Sequence, residues 1–154
     1  MGVTKRSKSK ESKHVRLYRY ETESLAYKAL SGDAVKVLIE IHMRYNGKNN
    51  GRIGMGSRCA GKAISKSHSA GARKLRELRA YKFITLTKDS TFAQKNYSRE
   101  YALTSWPLKE KMQATKDFMK LNSKDIECIK LELKTKHSNT DDRLGITVDK
   151  AYAY

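Results

Sequence analysis

The 154-residue chain carries 33 Lys and Arg against 16 Asp and Glu, a formal net charge of +17, and 38% of it is hydrophobic. That apolar share fills a domain-sized core only if part of the chain stays outside it, so one domain with tails is expected. No apolar run approaches the roughly 20 residues of a membrane helix, and the basic start has no apolar stretch behind it, so the chain reads as neither membrane-bound nor secreted.

The charge is uneven. Residues 1–23 sum to +4, residues 24–104 to +11 and residues 105–154 to +2. The excess sits on the part expected to fold, where an anionic polymer would meet it. The plainer alternative is a soluble, charged surface. Cys59 and Cys128 lie far apart with no Cys or His at metal-ligand spacing, so neither a metal nor a cofactor is expected. Cys59 reads as a reduced, buried small residue on the inner side of a helix, which suits a reducing cytoplasm.

Residues 1–14 alternate Lys and Arg with Ser and hold one large apolar side chain, Val3, beyond Met1. They are expected to stay disordered, as a basic arm on phosphates or a minor groove, or as a solubilising tail. Residues 15–23, VRLYRYETE, alternate enough for a short strand or an extended lead-in. Ser24 to Leu30 predicts a brief helix, and Ser31-Gly32-Asp33 a break in which Asp33 caps the next one. That next run, AVKVLIEIHMRYN, has the strongest helical pattern. Val35, Leu38, Ile39, Ile41 and Tyr45 form a broad apolar face, so this helix should be the central beam of the core. His42 has no second ligand nearby and reads as a packed or surface histidine rather than a site. Asn46 to Gly51, NGKNNG, is dense in residues that tolerate positive φ and predicts a turn before a small strand at Arg52–Met55.

Residues 57–81, SRCAGKAISKSHSAGARKLRELRAY, read as two short helices meeting at a tight turn. Ala60, Ala63 and Ile64 give the first a small apolar inner face. Ser67 caps the second, on which Ala72, Leu75, Leu78 and Tyr81 share one face. Its other faces carry His68, Ser69, Arg73, Lys74, Arg76 and Arg79. A capped helix with hydroxyls in its first turn and guanidinium groups further along suits the DNA major groove. FITLTK (83–88) and YSREYALT (97–104) then alternate with a period of two, and DSTFAQKN between them joins two strands as a hairpin.

Helix, small strand, helix, turn, helix, hairpin is the order of the winged helix-turn-helix, a mainly α fold with a small antiparallel β-hairpin. It is placed at residues 24–106, between a basic flexible arm of 1–23 and a partly helical, partly disordered extension of 107–154. RYNGKNNG, KLRELRAYKFI, EYALT and ATKDFMK together resemble small winged helix-turn-helix proteins of alphaproteobacterial genomes, phages and plasmids. The resemblance covers about residues 24–120 and implies DNA binding, without a reaction or an effector. The chain departs from such motifs at Ser65, where they usually place glycine, and at Lys66, where they usually place an apolar residue.

Trp106-Pro107 closes the last strand, with the indole expected against the long helix. Met112 to Leu121 predicts an amphipathic helix with Met112, Thr115, Phe118 and Met119 on one side, docked on the core or on a second copy. Ile126, Ile129 and Leu133 stand at helical spacing, KTKHSNTDDR reads as a loop, and GITVDKAYAY has no assignment. A fragment from Val15 to Leu121 is therefore expected to melt as the full chain does.

No constellation for catalysis stands out. Ser65, Ser67 and Ser69 flank His68 without an acid to orient the imidazole, and Asp141-Asp142 sits in a tail, so an enzyme is not expected. The charged positions fit double-stranded DNA in two tiers. Ser67, His68, Ser69 and Arg73 would reach base edges, while Arg58, Lys62, Ser65, Lys66, Lys74, Lys88, Lys95 and Arg99 would meet phosphates. The expectation is a sequence-specific DNA-binding regulator, cytoplasmic and nucleoid-associated, with homodimerisation open to it and no membrane partner. The alternative is a DNA-binding accessory module of a plasmid or phage replication or transfer system. An RNA-associated role is weaker, because the Tyr and Phe residues fall mostly at core positions rather than on an exposed sheet.

Overall fold

In a computed structural model, residues 14–89, 98–109 and 112–138 are described, with side chains through residue 135. The backbone is extended to Tyr18 and then makes two short helices, α1 (Arg19–Thr22) and α2 (Leu25–Ala29). Ser24 divides them: its hydroxyl donates to Glu21 O at 2.7 Å and accepts from Tyr27 N at 3.2 Å. The strand or extended lead-in expected over 15–23 therefore stops early. The reason is Glu21, which is completely buried with its Oε1 3.2 Å from His42 Nε2. A carboxylate is buried only where a partner meets it, and one helical turn brings it there. His42 is a packed histidine.

The beam is α3 (Gly32–Arg44), capped by Ser31 rather than Asp33, since Ser31 Oγ accepts from Ala34 N at 3.3 Å. Asp33 lies inside the first turn instead. The buried face is Ala34, Val37, Leu38, Ile41 and His42, with Val35 and Ile39 only half-buried, so the helix is turned toward Val37 relative to the expected face. The following turn uses its glycines as expected, at φ of 92° for Gly47 and 86° for Gly51. Asn50 within it is buried. Its amide donates to Leu103 O at 2.9 Å and accepts from Leu103 N at 2.7 Å, tying the turn to the last strand.

The chain continues through β1 (Ile53–Gly54), α4 (Ser57–Ala63), α5 (His68–Ala80), β2 (Ile84–Lys88) and β3 (Glu100–Leu103). The three strands form an antiparallel sheet in the order β1-β3-β2, with Ile53 opposite Tyr101 and Ile84 opposite Leu103. Phe83 to Leu86 and Tyr101 to Leu103 are all buried, so neither strand shows the exposed face that simple alternation implies. The protein is mainly helical, with this small sheet beside α3 and α5. Most of the connection between β2 and β3 lies outside the described residues.

Trp106 packs at the end of the beam, its ring 5.1 Å from Tyr45 and 5.5 Å from Tyr18. The helix expected over Met112–Leu121 is reduced to a 3-10 turn at Asp117–Lys120, because Lys116 takes a left-handed φ of 47° and its N–H bonds Thr104 O. Of its expected apolar side only Phe118 is buried, stacked 4.7 Å from Phe83, while Met112 and Met119 are exposed. The last helix among the described residues, α6 (Ser123–Ser138), runs past Leu133 into the segment expected to be a loop. Asn122 and Asp125 cap it through reciprocal bonds of 2.9 and 3.0 Å.

Ile126 of α6 is buried in the core, and Ile129 and Leu133 pack half-buried beside it. α6 thus adds apolar side chains to the core, so the expectation that a fragment ending at Leu121 melts unchanged can be tested against their burial. Ending the chain at Leu121 should cost at least the ~1.5–3 kcal/mol of one buried aliphatic side chain. Urea unfolding of the fragment beside the full chain measures this, and an unchanged midpoint would place α6 outside the cooperative unit.

Candidate nucleic-acid interface

The helix pair α4–α5 is built on small residues. A Cβ on Gly61 would stand 2.6 Å from Ser67 O and 2.9 Å from Lys66 O. One on Gly71 would collide with the backbone of Gly61 and Ser57. With Ala60 and Ala70 also buried between them, the two helices meet backbone to backbone. The turn that joins them is a Schellman motif: Lys66 N bonds Gly61 O at 2.9 Å and Ser65 N bonds Lys62 O at 3.1 Å. Ser65 is at φ 56°, so serine holds the left-handed position that glycine usually fills. Ser67 then caps α5, accepting from Ala70 N at 3.3 Å.

This geometry turns Ala70, Gly71, Leu75, Glu77 and Leu78 inward. Ala72, expected on the inner face, is half-buried. Outward stand Ser67, His68, Ser69 and Arg73 of α5, Arg58 and Lys62 one turn apart on α4, and Ser65 and Lys66 in the turn, all exposed. Cys59 is exposed with them. The reading of it as an inner residue fails because α4 faces inward at Ala60, Gly61 and Ile64, and Cys59 lies off that stripe.

The cations differ in what holds them. Among the described residues Arg58, Lys62 and Arg73 have no ion-pair partner. Lys74, expected on phosphate, is mostly buried, with Nζ 2.7 Å from Glu77 Oε2 and 2.9 Å from Ser31 Oγ. Glu77 also accepts from Ser31 N at 2.7 Å, so the cap of α3 and the middle of α5 share one polar cluster. Lys66 reaches Asp33 at 2.5 Å. That hydrogen bond, with the charges of Lys66, Lys74 and Lys36, holds the Asp33 carboxyl below its usual range. Arg99 is bound to Asp89 at 2.8 Å, where β2 and β3 come together. Lys88 is exposed at the end of β2, and Lys95 lies outside the described residues.

Ser31, Asp33, Glu77 and Asp89 were not singled out for the site by sequence reasoning, yet they decide which cations are engaged. One signal was present: Glu77 is the single acid in residues 57–88. An isolated acid in a basic helix points to a specific partner, here three residues away.

Among the described residues no group of three or more His, Cys, Asp or Glu could hold a metal ion, and no helix is long and apolar enough to cross a membrane. Compared with family models, curated proteins and solved structures, the chain matched none.

The packing of α4 on α5 makes a sharp prediction about two glycines. Gly71→Ala should lower stability by about 1–3 kcal/mol, the usual cost of overpacking. Gly32→Ala, with nothing within 4 Å of the added carbon, should be neutral or stabilise by up to ~1 kcal/mol. Urea midpoints of the two variants test this, and equal effects would mean that the helices are not in backbone contact.

Proposed function

We propose that the chain is a winged helix-turn-helix module that binds duplex DNA, with α5 as its recognition helix in the major groove and the β2–β3 hairpin as its wing on the backbone. The observation that carries this reading is Arg73. It stands exposed and unpaired among the described residues, about two turns into a capped helix whose opposite side is locked against α4 at backbone distance. A guanidinium so placed on a rigid element can offer two parallel donors to a guanine edge. Order and pairing of elements support the reading as well: α3, β1, α4, α5, then two strands whose sheet recruits β1.

Arg58, Lys62, Ser65 and Lys66 take the phosphate role on α4 and the turn, Ser67, His68 and Ser69 lie over the groove, and Lys88 belongs to the wing. Lys74 is better assigned to the scaffold, because its ammonium is held by Glu77 and Ser31. Two phosphate-facing cations, Lys66 and Arg99, start from intramolecular pairs, so the salt dependence should be shallower than a count of cations implies. One α5 reads a short site, and a second copy on a neighbouring half-site would lengthen it to what a transcriptional regulator needs.

Selection of bound sequences from random duplexes tests the proposal, followed by two variants measured on the selected site and on a scrambled one at matched salt. Arg73→Ala should lose ~1–3 kcal/mol on the selected site and little on the scrambled one. Lys62→Ala should weaken both alike and reduce the salt slope by about 0.9. Equal losses on both sites for Arg73→Ala would remove α5 as the reading element.

A further inference from the structure

We propose that Asp33 occupies Lys66 as an internal stand-in for phosphate, so that Lys66 exchanges a carboxylate for a backbone phosphate when duplex binds and Asp33 thereby lowers the affinity for any DNA. The inference rests on the function proposed above and adds to it a residue that tunes affinity from outside the helix pair.

The two partners are held differently. Asp33 belongs to the first turn of α3, whose start is fixed by the Ser31 cap and by the bonds from Ser31 to Glu77. Lys66 has its backbone fixed by the Schellman bond to Gly61 O, but its side chain is 55% exposed. The ammonium can therefore swing while the carboxylate stays. Lys66 also directly precedes Ser67, the cap of α5, so the turn puts it at the N-terminal edge of the proposed groove-reading helix. Exposed ion pairs contribute little net stability, so a phosphate can displace the carboxylate at small cost. Because the ammonium leaves one anion to meet another, the phosphate adds less affinity than it would with an unengaged lysine. The other cations acting on Asp33 do not take the place of Lys66. Lys74 is engaged by Glu77 and Ser31, and Lys36 is exposed on α3 and acts through charge alone.

Asp33→Asn removes the charge and keeps the shape. Affinity for a random-sequence duplex is measured across a salt series for the full chain, Asp33→Asn, Lys66→Ala and the double variant. Asp33→Asn should bind about two- to fivefold tighter, the range that exposed ion pairs allow. Its salt slope should steepen by up to about 0.9, because no freed carboxylate then takes up a cation as the duplex releases one. In the Lys66→Ala background the increase should vanish. A DNA-free readout accompanies it: the Asp33 carboxyl, followed by NMR, should titrate below the usual range in the full chain and return toward it in Lys66→Ala. An Asp33→Asn variant that binds as the parent does, or an increase that persists undiminished without Lys66, overturns the exchange alone. A parent chain that binds no duplex overturns the function proposed above and the exchange with it.

Discussion

Helices α4 and α5 pack at backbone distance, and that close approach orients everything built around them. At Gly61 and Gly71 the backbones approach so closely that any added carbon would strike main-chain atoms that cannot yield cheaply. This close packing sets how α5 leaves the turn. It also decides which side of α5 is buried and hence which side chains stand in solvent. Ser65 accepts the left-handed conformation that the turn requires, at a local cost that the packed helices offset. The same closing device recurs at the far end of α5, where Lys82 sits at φ 62° and Phe83 N bonds Leu78 O at 3.0 Å.

Around that pair, polar groups fix orientation where apolar packing is not specific. Ser31, Lys74 and Glu77 join the start of α3 to the middle of α5 through bonds of 2.7 to 3.0 Å. Glu21 and His42 join α1 to α3 in the interior. Each cluster is mutually dependent, since removing one member leaves a buried donor or acceptor unpaired. The cluster on α5 takes one of the helix's basic residues, Lys74, into the scaffold. The division of labour on the helix thus follows from burial rather than from charge alone.

Much of this was legible in the sequence, for reasons that can be given residue by residue. The beam, the two-helix pair with its Ser67 cap, the NGKNNG turn and the strands Ile84–Lys88 and Glu100–Leu103 announce themselves through helical period, β-branched and aromatic content or turn chemistry, which local physics controls. What was not legible depends on tertiary partners. The cap of α3 is Ser31 rather than Asp33 because Glu77 orients Ser31 and Lys66 draws Asp33 outward. The Met112–Leu121 helix gives way to a short turn because Thr104 captures the N–H of Lys116. Cys59 faces solvent because Gly61, which hydropathy patterns undervalue, joins Ala60 and Ile64 on the inner stripe of α4. Within the candidate site the positions and exposure of Arg58, Lys62, Arg73 and the serines follow from helical spacing. The carboxylates that engage Lys66, Lys74 and Arg99 come from other segments or from the buried side of α5, and spacing alone does not reveal them.

The surface we propose for nucleic acid is the outward side of α4, the turn and α5. Backbone amide shifts of the isotope-labelled chain, followed while a random-sequence duplex is added at low salt, would map it residue by residue. Perturbations should concentrate at residues 58–62 and 65–73 and near Lys88, with α6 and the Tyr18–Tyr45–Trp106 cluster unmoved. Perturbations centred on that aromatic cluster or on α6, or none at all, would contradict it.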